Sequence, residues 1–324
     1  MEFRTHIKIK PSPHKIRLDT PLLSIGSCFS NHIGALLKAY KFPVSTNPFG
    51  TIFNPISLFK LLLYALTDER PKESTYIKLE GVWKNMDFHS DFSDESLSAL
   101  EHNIDIVLAE VKQRLLNLTY LLITPGTATV YETKNDYIVA NCHKQPSLTF
   151  KPKRLLTVEE ITDSFEKLYT ILRQANPGIR FIFTVSPVRH IKDTLEINTI
   201  SKATLLLAIK QLQEKHPEID YFPSYEIMMD DLRDYRFYKA DMLHPSEVAI
   251  QYIWGLFSDR YFDSRTQAFI KNWQSIIQAI NHQPFHAQTP AYKAFISKTI
   301  EQLKALGNMT DISAELEILK QRLT

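Results

Sequence analysis

The chain has few cysteines, no long apolar run and no excess of either charge. Two cysteines among 324 residues cannot form the disulfide framework that stabilises small secreted proteins. No apolar stretch approaches the length that crosses a bilayer, and residues 1–15 lack the apolar core of a signal peptide. We therefore expect a cytoplasmic protein that has no membrane partner and keeps both thiols reduced.

The formal net charge of +2 arises from 38 basic and 36 acidic side chains that are mixed along the chain. Nucleic-acid-binding domains usually concentrate basic side chains on one surface, and this pattern does not predict such a surface. Hydrophobic residues make up 44% of the chain, which is enough for a substantial core. We expect one large domain with an appendage and no nucleic-acid partner.

Apolar runs alternate with helical patterns over residues 1–262, which is typical of parallel β-α-β units. The candidate strands are residues 22–25, 43–46, 120–124, 181–186 and 221–223. Residues 74–93, within an insertion at about 70–100, interrupt the alternation and are a candidate hairpin or a loop over the sheet.

Helix signals are clearest in the second half of the chain. Thr157 and Glu160 form a capping box, and the helix that they open ends at 176–178. Residues 194–216 are a candidate crossover helix, with apolar positions at Ala203, Leu206, Leu207, Ile209 and Leu212. Residues 263–324 are predicted to be a helical extension, broken at 282–290, that either mediates homodimerisation or covers the sheet.

The segment from Leu22 predicts a strand, a tight turn at Gly26 and a helix. Ser27 and Cys28 then lie between the carboxyl end of a strand and the amino end of a helix, where α/β proteins place their ligands. Helix N–H groups there favour a thiolate, so we expect a lowered pKa for Cys28. The structural alternative is a buried, apolar Cys28 beside a helix-capping Ser27.

Asp241 and His244 form a D-x-x-H pair followed by Pro245, which suits the first position of a helix. An acid three residues before a histidine can orient the imidazole, so that the pair is a candidate base with its supporting carboxylate. The alternative is that both side chains are solvated loop residues.

These two segments together resemble an SGNH or GDSL hydrolase, in which a G-D-S turn carries the nucleophile and an Asp-x-x-His pair lies near the end. Residues 25–28 (IGSC) align with IGDS, which places Ser27 at the Asp position and Cys28 at the nucleophile position. The chain also resembles the bacterial GSCFA family, which is named for this first motif, with Ser30 in place of the final alanine. Similar stretches follow in order at 47–55 (NPFGTIFNP), 88–93 (FHSDFS), 124–131 (TPGTATVY), 139–144 (VANCHK), 183–190 (FTVSPVRH) and 232–245 (LRDYRFYKADMLHP).

The resemblance implies a fold and a reaction. The fold is a three-layer α/β/α sandwich of the flavodoxin-like, SGNH-hydrolase-like type, with a five-stranded parallel sheet in the order 2-1-3-4-5. The reaction is acyl transfer on a small-molecule or saccharide ester, without a cofactor. Cys28 is the expected nucleophile, His244 the general base and Asp241 its orienting acid. Ser27 stays open as the alternative nucleophile.

The resemblance also implies an oxyanion hole made by the N–H of the nucleophile, the N–H of Gly50 and an Asn side chain. Ala128 stands at the position of that Asn and cannot donate, so Thr127 and Asn141 are the candidate replacements. His89, His143 and Arg189 are candidate pocket residues, although loop histidines more often serve structure and an arginine can pair with nearby acids such as Asp230 and Asp231.

Two other functions stay open from the residue types alone. Cys28, Cys142, His143 and His244 are side chains that zinc accepts, although no CxxC or HxxxH pair is present. The missing Asn also fits an inactive scaffold that binds a saccharide or a protein partner.

Overall fold

The computed structural model describes residues 4–286 and 288–323. Backbone contacts divide these residues into two compact units. The first contains the chain up to Lys8, residues Pro21–Ala35 and residues Val44–Gly255. The second contains Ile9–Thr20, Leu36–Pro43 and the described residues from Leu256 onward.

The described residues form strands β1 to β11, in chain order Leu22–Gly26, Val44–Thr46, Tyr76–Leu79, Val82–Asn85, Ser93–Asp94, Tyr120–Thr124, Thr129–Glu132, Ile138–Val139, Arg154–Leu155, Arg180–Phe183 and Ile219–Tyr221. They form helices α1 to α10, in chain order Cys28–Ala39, Pro55–Thr67, Leu97–Asn117, Val158–Ala175, Leu195–Lys215, Ser224–Glu226, Glu247–Tyr261, Ser264–Asn281, Pro290–Leu306 and Ser313–Gln321.

The central sheet of the first unit has five strands that are all parallel, in the order β2-β1-β6-β10-β11. The predicted order 2-1-3-4-5 is therefore corrected to 2-1-6-10-11. The numbers differ because β3 to β5 lie before β6 along the chain, and β7 to β9 lie between β6 and β10, in two added sheets. β10 is also shorter than predicted, since the Ser186 N–H already donates to the Pro125 carbonyl at 3.0 Å in a loop. The mixed α/β class with a five-stranded parallel sheet is confirmed, and the three-layer arrangement stays a prediction.

The insertion forms an antiparallel sheet in the order β3-β4-β5, which includes a hairpin, one of the two alternatives for this segment. Its turn residues Glu80 and Gly81 have φ of 50° and 85°, the sign that two-residue hairpin turns need at both central positions. A second small antiparallel sheet, in the order β8-β7-β9, was not expected because its strands are only two to four residues long.

Helices α2, α3, α4 and α5 pack side by side in the first unit. Asn54 caps α2 by accepting the Ser57 N–H at 2.8 Å, and the predicted capping box of Thr157 and Glu160 is confirmed at the start of α4. The buried face of α5 agrees with the expected one in part. Ile209 and Leu212 are buried as expected, whereas Leu207 is 59% exposed and Leu205 is buried instead.

The core of the first unit lies between the sheet and these helices. All five residues of β1 and of β6 are buried, as expected for inner parallel strands. Edge-to-face contacts join Phe165 to Phe59 at 5.3 Å and to Phe183 at 5.2 Å between ring centroids. Complete burial of such a ring stabilises the fold by about 1.5–3 kcal/mol, so this cluster anchors α2 and α4.

The second unit is mainly helical. Asp263 caps α8 by accepting the Thr266 N–H at 2.7 Å, and the buried Trp273 donates its indole N–H to the Ala39 carbonyl at 2.9 Å. Lys41 forms an ion pair with Glu315 at 2.8 Å. Across the described chain, no helix combines the length and the apolarity that a bilayer crossing requires.

Candidate active site

Gly26 connects β1 to α1 in a conformation that other residues rarely adopt. Its φ is 138°, and a Cβ atom at this position would lie 2.2 Å from the carbonyl oxygen of Thr124. The Gly26 N–H donates to Asn47 Oδ1 at 2.8 Å, and the Ser27 N–H donates to the Thr124 carbonyl at 2.9 Å. The turn is therefore fixed by β6 on one side and by Asn47 on the other.

The same turn separates Ser27 from Cys28. Ser27 is fully buried, and its hydroxyl accepts the Phe29 N–H at 3.4 Å, as a helix-capping side chain does. Cys28 is the first residue of α1 and lines a cavity of about 510 Å³. Ser27 does not line this cavity. The geometry thus presents the thiol, and not the hydroxyl, to the cavity.

Burial raises the pKa of the Cys28 thiol above its ordinary value. The N–H groups of Cys28 and Phe29 and the ammonium groups of Lys202 and Lys239 oppose this shift without reversing it. The expectation of a lowered pKa at the helix terminus is therefore wrong, because desolvation of the thiolate exceeds the helix effect. A base is needed to deprotonate this thiol near neutral pH.

His244 is held by Asp241. The imidazole Nδ1–H donates to Asp241 Oδ2 at 2.6 Å, while Oδ1 accepts the backbone N–H groups of His244 at 3.0 Å and Leu243 at 2.9 Å. Pro245 pairs with Tyr238 in a β-bridge and does not begin a helix. α7 starts two residues later at Glu247, because Ser246 accepts the Ala249 N–H.

Cys28 and His244 line the same cavity although most of the chain separates them in sequence. Several other cavity residues follow the carboxyl ends of parallel strands, namely Thr51 after β2, Thr127 after β6 and Arg189 after β10. Part of the wall comes from β7 and β8 of the small antiparallel sheet. In the described structure no hydrogen bond joins the Cys28 thiol to the imidazole. Proton transfer between them therefore requires the two side chains to approach each other.

The Gly50 N–H does not face the cavity as an oxyanion donor. It donates to the Asn47 carbonyl at 2.8 Å, with Gly50 at φ 77°. A Cβ atom at Gly50 would lie 2.1 Å from His89 Cβ, so the glycine is needed for close packing in a turn. Thr51, the next residue, does line the cavity, and within the described chain its N–H has no protein acceptor.

The expected third donor is also absent at Ala128, which is fully buried and whose N–H donates to Ser201 Oγ at 2.6 Å. Thr127 lines the cavity, where its hydroxyl is 2.9 Å from Ser201 Oγ and accepts the Thr129 N–H. Asn141 does not line the cavity, since its amide binds Ser90 and the His143 N–H. Of the two candidate replacements, only Thr127 reaches the site.

The remaining candidates separate into wall residues and structural residues. His89 lines the cavity and pairs with Asp91 at 3.0 Å, whereas His143 is buried outside the cavity wall and binds the Asn85 carbonyl at 2.8 Å. Burial lowers the pKa of His143. Arg189 lines the cavity with its guanidinium 4.2 Å from the ring centre of Tyr238.

Arg189 is thus not paired with the acids near position 230. Asp230 binds Arg233, and Asp231 binds Arg4 and Tyr252. The guanidinium instead lies over the ring of Tyr238 at the cavity wall.

Comparison with protein families identifies the chain. The GSCFA family matches residues 21–257, and the C-terminal domain of GSCFA domain proteins matches residues 273–324. The chain belongs to the GSCFA family. A search among curated proteins gave no match.

One solved structure similar to this GSCFA chain is a carbohydrate esterase of family 3 from Talaromyces cellulolyticus. The two share 13% sequence identity with a TM-score of 0.27, over 48% of the GSCFA chain. The match spans 60% of the length of that esterase chain.

Two polar residues of the GSCFA site were not singled out from the sequence. His190, next to Arg189, lines the cavity, and its Nε2 is buried without a hydrogen-bond partner in the described structure. Burial lowers the pKa of His190 to about 4, which keeps the ring neutral at pH 7. Lys202 of α5 is 1% exposed and binds the carbonyls of the loops that follow β6 and β10. Its spacing to Leu205 and Ile209 is the helical signal that predicts its burial.

The GSCFA structure does not assemble the four candidate zinc ligands. Neither Cys142 nor His143 lines the cavity of Cys28 and His244, and the His143 Nε2 already binds a carbonyl. Among the described residues, no group of three His, Cys, Asp or Glu side chains is arranged to hold a metal ion.

Proposed function

We propose that this GSCFA protein is an SGNH-like acyl-transfer enzyme that cleaves a small-molecule or saccharide ester through the Cys28 thiol. The observation that carries the proposal is that Cys28 and the Asp241-bound His244 line one cavity beyond the carboxyl ends of the parallel strands. This is where α/β proteins place their chemistry. The order of motifs along the chain supports the SGNH-like assignment.

The proposed reaction begins with proton transfer from Cys28 Sγ to His244 Nε2. The thiolate attacks the ester carbonyl carbon, and the carbonyl oxygen becomes an oxyanion that accepts the N–H groups of Cys28 and Thr51. Collapse of this intermediate breaks the bond to the alcohol, which leaves with the proton from His244 and gives a thioester on Cys28. Water or another acceptor then attacks the thioester, with His244 again as the base, and releases the thiol.

Asp241 supports both steps. The carboxylate fixes Nδ1 as the protonated ring nitrogen, which leaves Nε2 as the basic atom, and it stabilises the imidazolium that each proton transfer forms. A raised thiol pKa makes this base necessary, because little thiolate exists beforehand.

The cavity fits a compact acyl group or a sugar. Its volume of about 510 Å³ is within the usual range of small-molecule sites, roughly 300–1,000 Å³. Phe53 and Tyr131 supply aromatic surface in the wall, while Thr51 and Thr127 supply polar atoms. Such a mixture suits a substrate with both apolar and hydroxyl groups.

The test is hydrolysis of p-nitrophenyl acetate and p-nitrophenyl butyrate by the wild type and three alanine variants. Cys28→Ala is expected to lose nearly all turnover, whereas Ser27→Ala keeps most of it because Ser27 does not line the cavity. Cys142→Ala is the matched thiol control and is expected to resemble the wild type. If Ser27→Ala loses turnover while folded Cys28→Ala keeps it, the nucleophile is Ser27. Equal turnover in all three variants would overturn covalent catalysis.

The absence of a side-chain donor at Ala128 favours one alternative, a scaffold that binds an ester or saccharide without turnover. That alternative predicts no hydrolysis by the wild type of either ester and no covalent labelling of Cys28 by an acylating probe.

A further inference from the structure

Three consecutive hydrogen bonds connect the nucleophile turn to the wall of the cavity. The Gly26 N–H donates to Asn47 Oδ1 at 2.8 Å, and Asn47 Nδ2 donates to Asn31 Oδ1 at 2.6 Å. Asn31 Nδ2 then donates to Thr51 Oγ1 at 3.2 Å. Thr51 lines the same cavity as Cys28. These bonds, which we call the amide relay, therefore end on a hydroxyl of the candidate active site.

The direction of the amide relay follows from its first bond. A backbone N–H can only donate, so Asn47 must turn its side-chain oxygen to Gly26 and its nitrogen to Asn31. Asn31 must then accept with its oxygen and donate with its nitrogen. Thr51 Oγ1 accepts from that nitrogen, and its own proton has no acceptor among the residues that the structure describes. The relay thus leaves the Thr51 hydroxyl with an unused donor.

Backbone hydrogen bonds fix the loop that carries Thr51 against the nucleophile turn. The residue before Thr51, Gly50, donates its N–H to the Asn47 carbonyl at 2.8 Å. The residue after it, Ile52, donates its N–H to the Gly26 carbonyl at 3.0 Å. Thr51 is therefore held between two anchored neighbours, one of which binds the turn directly.

The amide relay also places Thr51 beside the helix that begins with Cys28. Asn31 follows Cys28 by three residues in α1, and side chains at this spacing are neighbours on one side of a helix. Asn31 is exposed, so water could satisfy its amide and the bond to Thr51 adds little stability. The arrangement is therefore better explained by what it does to the Thr51 hydroxyl.

The site has a use for such a donor. Ala128 stands where an SGNH-type enzyme has a side-chain donor to the oxyanion, and its own N–H is bound to Ser201. The Thr127 hydroxyl also contacts Ser201, at 2.9 Å, and is thus already engaged. The Thr51 hydroxyl is free to donate, and it belongs to the residue whose N–H is also unused in the described chain.

We propose that Thr51 is a catalytic residue whose hydroxyl, oriented by Asn31 and Asn47, is the side-chain donor of the oxyanion hole that Ala128 cannot supply. The inference rests on the proposed function in taking Cys28 as the nucleophile. When Cys28 Sγ bonds to the ester carbonyl carbon, the π electron pair moves to the carbonyl oxygen, which then accepts the O–H and N–H of Thr51. Thr51 transfers no proton. Asn31 and Asn47 do not touch the substrate and are positioning residues.

The first test is the hydrolysis of p-nitrophenyl butyrate by Thr51→Val, which keeps the N–H and the branched shape but removes the hydroxyl. Its kcat is expected to fall about 10²-fold with KM within about threefold, because the oxyanion forms only after attack. Thr51→Ser, which restores a hydroxyl, is expected to recover most of kcat. A wild-type kcat in Thr51→Val would overturn the inference.

Thr199→Val is the matched control for this substitution. Thr199 is an exposed residue of α5 outside the cavity wall, and its hydroxyl donates to the Leu195 carbonyl at 2.9 Å. Its kcat is expected to equal that of the wild type. Near-ultraviolet circular dichroism reports whether each variant keeps the fold.

The second test reverses the amide relay without altering Thr51, and so applies even if Thr51→Val does not fold. In Asn31→Asp the new carboxylate still accepts from Asn47, but it can only accept from Thr51, so the hydroxyl proton turns away from the substrate. The loss in kcat is expected to match that of Thr51→Val. Added to Thr51→Val, the same change is expected to cost less than about threefold more. An equal loss with and without the hydroxyl would contradict an action through Thr51.

The third test does not require turnover. Propyl trifluoromethyl ketone carries the acyl chain of the butyrate ester; Cys28 Sγ bonds to its carbonyl carbon and the thiol proton passes to the oxygen. Fluorine NMR then follows the ionisation of the adduct hydroxyl with pH. Its pKa is expected to be about one unit higher in Thr51→Val than in the wild type, because a donor to the oxyanion is lost.

The outcomes of this measurement separate the two proposals. Equal adduct pKa values in the wild type and folded Thr51→Val would overturn the role of the hydroxyl. A shifted pKa without ester turnover would sink the proposed function and leave the oxyanion donor in place. A wild type that forms no adduct on Cys28 would overturn both.

Discussion

Asp241 holds His244 through both of its carboxylate oxygens. Oδ2 accepts the imidazole Nδ1–H at 2.6 Å and Oδ1 accepts the His244 backbone N–H at 3.0 Å. These hydrogen bonds lower the pKa of Asp241 to about 2, so the carboxylate stays ionised throughout the neutral range. The arrangement keeps Nδ1 protonated and makes Nε2 the basic nitrogen of the site.

Asp241→Asn is expected to reduce kcat/KM for p-nitrophenyl esters by about 10²- to 10⁴-fold, because an amide does not stabilise the imidazolium and permits the wrong tautomer. Stability is expected to change little, since the carboxylate is exposed. Steady-state kinetics measures the effect. Asp234→Asn, another exposed acid near the same loop, is the control, and an equal loss in both variants would contradict a specific role for Asp241.

His190→Phe is expected to leave the protein as stable as the wild type or more stable by about 1 kcal/mol, because it removes a buried nitrogen that has no partner. The edge contact with Phe53, now at 5.3 Å between ring centroids, is kept by a phenyl ring. Urea unfolding at pH 8 measures the difference. A loss of more than about 2 kcal/mol would show that Nε2 is satisfied in solution.

The difference in stability between the wild type and His190→Phe is expected to depend on pH. Burial lowers the pKa of His190 from 6.5 to about 4, so between these values the unfolded state binds more protons than the folded state. Stability from this group is complete above pH 6.5 and falls as the pH falls towards 4, by as much as about 3 kcal/mol. The advantage of His190→Phe is therefore expected to grow on acidification. An advantage that is constant from pH 7 to pH 4.5 would contradict this burial.

Gly26→Ala is expected to destabilise the first unit by at least about 2–4 kcal/mol, because the new Cβ meets the Thr124 carbonyl and φ is positive. Gly255→Ala is the matched control, since Gly255 lies in α7 with open space around its Cβ position. That variant is expected to gain about 0.5–1 kcal/mol from helix propensity. The urea midpoints of unfolding of the two variants measure both effects. Equal midpoints for Gly26→Ala and Gly255→Ala would show that the turn is not fixed as described.

The sequence predicts those parts of the fold and site that depend on local signals. The turn at Gly26 and the capping box at Thr157 are local patterns, and both are found in the structure. The positions of Gly50 and Lys202 depend on long-range packing. Gly50 is a glycine because His89 packs against it. The helical spacing of Lys202 with Leu205 and Ile209 indicates its burial, but the carbonyls that its ammonium binds belong to loops far away in the sequence.

The prediction of a lowered pKa for Cys28 is wrong for a related reason. Its position at a helix terminus can be read from the chain, but the depth of the surrounding cavity cannot, and desolvation proves larger than the helix effect.

The most direct test of covalent catalysis by Cys28 is the intact mass of the protein mixed rapidly with a p-nitrophenyl ester and quenched in acid. We predict an added acyl group that maps to Cys28, is released by hydroxylamine as a thioester is, and persists in Ser27→Ala but not in Cys28→Ala. An acyl group on Ser27, or hydrolysis without any covalent species under single-turnover conditions, would contradict it.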